Sequence, residues 1–378
     1  MLGPSSSGPP PGKPTTPELV ALARRPATDA FLTAGRPWLE AAPDTASRRW
    51  AAEAEALAAL PALSENPLSI KGFGTLGVPG RKHRQIEHFA APVHQRWPAP
   101  TRITDWCAGK GHLEAGLSHV TGGKAPGPGV AGGAVRGRPQ RVRARRGRAT
   151  FACVDVRAPE AAGLLAADDV VVALHACGGL HTALLRAVVA RGAAGLALAP
   201  CCYNQPSPDR GRPLSPRGAA VGLALDENDL DLLHRQAANA SQGTLRRSRQ
   251  NQQWRLSAFD ALYRQASGVD AYRPMPPFPE PWLVLPFAEF CRRLAALEGL
   301  HLPDHLRPDD FLAEGEAAWR ATVARDAIRG LFARPLETWL VLDRARFLAE
   351  AGYVVEAGTF CDRTLTPRNA LILARKDA

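Results

Sequence analysis

The chain has 378 residues, 45% of them hydrophobic, with 47 Lys and Arg against 36 Asp and Glu. That length holds one large domain or two ordinary ones. No apolar run reaches the length of a membrane span, and "MLGPSSSGPPPGKPTTPE" lacks the apolar core of a secretory signal. Seven cysteines without a CxxC pair argue against a disulfide framework, so a reducing cytoplasm is the expected compartment.

Residues 1–16, rich in Pro, Ser and Gly, read as a disordered leader. Residues 17–80 carry Leu, Ala and Trp at helical spacing, as in "WAAEAEALAALPAL", and end in the Gly-rich connection "KGFGTLGVPGRK". "KHRQIEHFAAPV" predicts a helix that stops at the prolines of "WPAP". An alternation follows. "RITDWCA", "TFACVDV", "DDVVVALHACG" and "GLALAPCCYN" predict strands, and "HLEAGLSHV", "APEAAGLLA" and "LHTALLRAVVARGA" predict helices. Apolar strands bounded by helices imply a parallel sheet buried on both faces. We place this core at residues 81–225 and a helical insertion at 226–345. The strands "VVEAGTF" and "NALILARK", within 346–378, are expected to return to the same sheet.

The basic charge is local. Residues 124–148 contain one Lys, seven Arg and no acid, and without them the net charge falls from +11 to +3. The first reading of this Arg/Gly-rich stretch is a solvated surface loop, set at 122–149. A nucleic-acid tether is the functional reading. Its mixture of Gly, Ala, Arg, Pro, Val and Gln is also what a GC-rich gene yields in a wrong frame, which is a third account.

In open α/β sheets, ligands sit beyond the carboxyl ends of the strands. "CAGKG" follows the first strand there, but Glu114 replaces the third glycine of a dinucleotide fingerprint, so the loop alone is weak evidence. Asp155 closes the next strand. His175 and Cys177 close "VVVALHACGG", with His181 at the start of the next helix. Cys201, Cys202 and Tyr203 close "GLALAPCCYN". Adjacent strands lie about 4.8 Å apart, so these side chains are expected to converge.

"DWCAGKGHL", "LHACGGLHTALL" and "PCCYN", in that order, resemble a family of S-adenosylmethionine-dependent methyltransferase domains. It includes the methyltransferase-like domain of the glutathione S-transferase C-terminal-domain-containing protein and is similar to transfer-RNA 2′-O-methyltransferases of the acceptor stem. The resemblance covers residues from about 80 to 205. It implies a Rossmann-like class I methyltransferase fold, with a seven-stranded sheet whose last strand runs antiparallel, and S-adenosylmethionine as cofactor. Asp105, Cys107, Gly109 and Gly111 match the first cofactor motif, with Cys107 where many such enzymes carry Gly. Asp155 matches the acid facing the adenine amino group. His175, Cys177 and Gly178 match the element beside the transferable methyl. Lys82 and Gln85 match a "K-x-x-Q/E" element at the cofactor's methionine end. One departure stands out: the acid that usually binds the ribose after the second strand is missing, because no Asp or Glu lies between Glu114 and Asp155.

The resemblance implies a methyl transferase whose acceptor groups would be met by His175, Cys177, His181, Cys201, Cys202 and Tyr203. His175 or His181 would serve as base for a hydroxyl acceptor with Tyr203 orienting it, or backbone carbonyls around "APCCYN" would hold an amine acceptor instead. Zinc-compatible chemistry at Cys177, Cys201, Cys202 and a histidine ranks below this, since adjacent cysteines are unusual ligands and paired zinc spacing is missing. No metal is therefore expected. A second rival is a non-catalytic nucleic-acid binder on a methyltransferase scaffold.

Overall fold

The computed structural model describes residues 45–70, 80–108, 112–113, 116–117, 129–132, 151–238, 243–271 and 274–377. The expected leader, the start of the helical N-terminal segment, and Gly109 and Gly111 lie outside these residues. So does most of the Arg-rich stretch. Two compact units divide the chain. One holds 54–240 and 332–378, and the described part of the other is 45–53 and 243–331.

In the first unit, helix α2 (Gly80–Arg96; α1 is Thr45–Ala58) leads to strand β1 (Arg102–Asp105). Strands β2 (Gly129–Gly132), β3 (Phe151–Val154) and β4 (Asp169–Cys177) come next, then helix α3 (Gly179–Arg191) and β5 (Gly195–Cys201). Two helices follow, α4 (Pro216–Ala220) and α5 (Glu227–Ala238). The chain closes with β6 (Tyr353–Thr359) and β7 (Ala370–Lys376). "APEAAGLLA" forms a 3₁₀ turn at Pro159–Leu164.

The main sheet has five strands in the order β1-β4-β5-β7-β6, with β1, β4 and β5 parallel and β7 antiparallel to both its neighbours. Among the described residues five strands of the expected seven-stranded sheet are joined in one ladder. β2 and β3 form a separate parallel pair, with no ladder joining them to β1 among the described residues. β2 lies inside the stretch 122–149 read as a surface loop.

Alternation along the central strands builds two core layers, since successive side chains point to opposite faces. Val171, Ala173, Leu196, Leu198, Ile372 and Ala374 bury against Leu184, Leu185 and Val188 of α3. The same layer takes Val341, Ala345 and Leu348 from the long helix Leu312–Glu350. Val170, Val172, Ala197, Ala199, Leu371 and Leu373 bury against Ile86, Phe89, Ala90 and Val93 of α2. Both faces being covered explains the unbroken apolar runs of β4 and β5.

The second unit has its own core. Helix α6 (Gly243–Ser267) and helix α7 (Phe287–Leu297) contribute Phe259, Leu262, Phe290, Cys291 and Leu294, joined by Phe311. The 39-residue helix Leu312–Glu350 is α8. Its residues 332–350 belong to the first unit. Among the described residues no helix is long and apolar enough to cross a membrane.

Candidate active site

Three neighbouring strands, β1, β4 and β5, end at the same edge of the sheet. At each end a non-glycine residue adopts the left-handed conformation: Cys107 (φ 69°), His175 (φ 68°) and Cys202 (φ 46°). An L-residue there costs roughly 1–2 kcal/mol, and such strain concentrates at functional sites. Cys107 takes the conformation that glycine would favour. His175 sits in a bulge, where the β4–β5 register shifts between Leu174 and Ala176. A bulge re-aims the side chains that follow it.

These turns bring several side chains together. Cys177 Sγ lies 3.0 Å from Cys201 Sγ, and the sulfurs of Cys177, Cys201 and Cys202 all lie within 4.8 Å of one another. At Cys177 the bond from Cys201 lowers the thiol but the Cys202 sulfur and burial outweigh it, and at Cys201 the Cys177 and Cys202 sulfurs, then burial, raise it. Cys177 is pushed up to about 11, and Cys201 rises well above its ordinary value. Cys107 is raised to about 12, chiefly by burial.

Helix α2 supplies the other wall. Gln85 Nε2 donates to the Leu365 carbonyl at 3.3 Å, which leaves Gln85 Oε1 to accept from His175 Nε2 at 3.1 Å. The chain of bonds assigns the proton of neutral His175 to Nε2 and leaves Nδ1 as an acceptor. Burial, and then the charge of Lys82, lower His175 to about 4, so the ring is neutral at physiological pH. Lys82 is itself lowered by burial, which the charge of Asp105 partly offsets. Asp105 is buried at the end of β1.

The β6–β7 connection closes the site with residues whose chemistry was not read from the sequence. Arg81 Nε donates to the Leu365 carbonyl at 2.8 Å. Arg368 is buried and pairs with Glu337 at 2.7 Å, while Arg334 takes the other Glu337 oxygen at 2.7 Å. Arg368 also donates to the Leu233 carbonyl. Its charge acts on His175, Cys177 and Tyr203. The run "DRTLTPRNA" looked only like a turn. Its one available signal was an Arg beside Asn just before an apolar strand.

His181 and Tyr203, expected to converge with the cysteines, instead line a small pocket with Asp209, Arg210 and Arg344. Their rings meet edge to face at 5.5 Å between centroids. Burial and Arg344 depress His181 to about 3, and burial raises Tyr203. The physical reason for the division is local: Gly178 turns the chain into α3, and His181, one turn later, points into the core rather than over the strand ends. Asp155 follows β3 with its carboxylate about half exposed and held by Arg157 through two side-chain bonds and one backbone bond, all at 3.0 Å. That pairing lowers its pKa.

Gly178 has φ 49° and ψ −125°, and its N–H donates to the Cys201 carbonyl at 3.1 Å. A Cβ here would stand 2.6 Å from Gln205 Cβ. Gly178→Ala is expected to cost about 1–3 kcal/mol, measured by denaturant unfolding against the wild-type chain. A change within experimental error would mean the turn relaxes freely.

In an open α/β sheet, polar groups gathered beyond the carboxyl ends of the strands mark where ligands bind. Residues 81–208, from α2 to the turn after β5, match the family model described as a methyltransferase domain, which supports a methyltransferase. No curated protein and no solved structure matches the chain.

Proposed function

We propose that the protein is an S-adenosylmethionine-dependent methyltransferase whose cofactor binds beyond the carboxyl ends of β1, β4 and β5. The observation that carries this reading is the trio of left-handed residues Cys107, His175 and Cys202 at those ends. Lys82 and Asp105 stand beside them as a cation and an anion. That donor set fits the amino-acid zwitterion of such a cofactor, with Lys82 toward a carboxylate and Asp105 toward an ammonium. When bound, S-adenosylmethionine supplies an electrophilic methyl group on a sulfonium.

The chain's own residues then position the acceptor. Gln85 holds the Nε2 tautomer of His175, so Nδ1 accepts a hydrogen bond from an acceptor N–H or O–H. A ring near pKa 4 is a weak base; effective general bases titrate near the working pH. His175 therefore suits orienting an acceptor whose lone pair is already available. His181, buried and lower still, is removed from the role of base. The eight basic residues of 124–148 support RNA as the macromolecule that brings the acceptor.

Calorimetric titration with S-adenosylhomocysteine tests the reading. Wild type is expected to bind, and Lys82→Met to lose about ten- to a hundredfold in affinity, the worth of roughly 1.5–3 kcal/mol for a charge-assisted bond. Failure of the folded wild-type chain to bind would overturn it. The second reading, a nucleic-acid binder without catalysis, is favoured by the absence of any acid between Glu114 and Asp155. RNA binding that falls steeply with salt, without cofactor binding, would select it.

A further inference from the structure

Adjacent residues of a strand point to opposite faces, so Cys201 and Cys202 would ordinarily diverge. They do not, because Cys202 leaves β5 in the left-handed conformation and its sulfur returns to the side of Cys201. The bulge at His175 delivers Cys177 to the same place. Two separate backbone distortions thus converge on one cluster of three sulfurs.

We propose that Cys177, Cys201 and Cys202 bind one thiophilic divalent cation of the zinc class through three thiolates, leaving one coordination position open. Zinc–sulfur bonds of about 2.3 Å place tetrahedral ligand sulfurs about 3.8 Å apart. The sulfurs stand between 3.0 Å, for Cys177 and Cys201, and the 4.8 Å limit of the whole cluster. Closing on a metal therefore needs only sub-ångström to ångström shifts. Cys201 is buried, while Cys177 and Cys202 are partly open, which gives an ion a way in.

Charge supports the assignment. Three thiolates and a divalent cation leave one net negative charge, and Lys82 and Arg368 both stand near the sulfurs to offset it. Binding releases the three thiol protons to solvent, with no change in oxidation state. Three protein ligands with a free position is the arrangement of reactive rather than purely structural zinc. Water or an acceptor heteroatom would fill it. The proposal stands on the sulfur cluster and not on the methyltransferase reading.

The test uses full-length, reduced, metal-free protein titrated with Zn²⁺ against a chromophoric chelator, and separately with Co²⁺. One equivalent per chain is expected, with thiolate-to-cobalt charge-transfer absorption of the intensity given by three sulfurs. Cys177→Ser and Cys202→Ser should each lose binding, Cys202→His should retain it, and Cys361→Ala should behave as wild type. Circular dichroism and thermal melts confirm that each variant is folded. Should the serine variants fail to fold, the wild-type cobalt spectrum still decides. No binding by folded wild type, or full binding by the Cys177→Ser/Cys202→Ser double variant, overturns the proposal. Titration of the same sample with S-adenosylhomocysteine reports separately on the cofactor site.

Discussion

Replacing Glu337 by alanine is expected to destabilise the first unit by about 3–5 kcal/mol, the cost of leaving buried charges without their partner. Glu337 is only 3% exposed and holds two buried guanidinium groups at once, Arg334 and Arg368. Arg334 also donates to Asn369 Oδ1 at 2.8 Å, and Asn369 Nδ2 donates to the Cys361 carbonyl at 2.7 Å. One carboxylate thus ties α8 to both ends of the β6–β7 connection. Its removal leaves two cations facing each other in a site closed to water. Glu337→Gln keeps the shape and one acceptor but not the charge, and should fall between wild type and Glu337→Ala. Denaturant unfolding followed by circular dichroism reads the difference. A loss under about 1 kcal/mol would mean that water reaches the guanidinium groups and that the network is an ordinary surface pair. The effect extends to the candidate site, because Arg368 acts on His175 and Cys177. Its uncompensated charge would depress His175 further.

Asp343→Ala should cost a similar amount, again about 3–5 kcal/mol. The Asp343 carboxylate accepts from Leu214 N at 2.7 Å, Ser215 N at 3.1 Å and Ser215 Oγ at 2.8 Å, and it pairs with Arg344 at 3.0 Å. Ser215 in turn accepts from Gly218 N at 2.8 Å and caps α4. Alanine at 343 would leave two backbone donors without an acceptor and Arg344 buried as an unpaired cation. Arg344 lies over the Tyr203 ring and faces His181, so its release would loosen the pocket behind the strand ends. Asp343→Asn retains an acceptor for the backbone donors but removes the counter-charge. Its cost separates the two contributions. If Asn and Ala cost the same, the ion pair dominates; if Asn is near wild type, capping does.

The strands β4 and β5 were legible because burial on both faces writes an unbroken apolar run, and α2 because Ile86, Phe89, Ala90 and Val93 recur at helical spacing. The gathering of His175, Cys177, Cys201 and Cys202 was legible for a related reason. Adjacent parallel strands bring their carboxyl ends within about 4.8 Å of one another, while the turns at His175 and Cys202 decide which way the side chains point. β2 was hidden because "GVAG" carries neither β-branched richness nor alternation. The division that sets His181 and Tyr203 apart from the cysteines was not legible, since it depends on which way each side chain leaves a turn.

What the sequence by itself determined is the order of strands and helices and the chemistry available at the strand ends, because period and burial act locally along the chain. What only the tertiary structure decided is direction and charge balance. Left-handed turns at Cys107, His175 and Cys202 aim the side chains. Glu337, Arg334 and Arg368, paired between α8 and the connection that precedes β7, set the field in which they work. Those choices rest on contacts between residues up to dozens of positions apart, where the free energy lies in desolvation and pairing that no local pattern records.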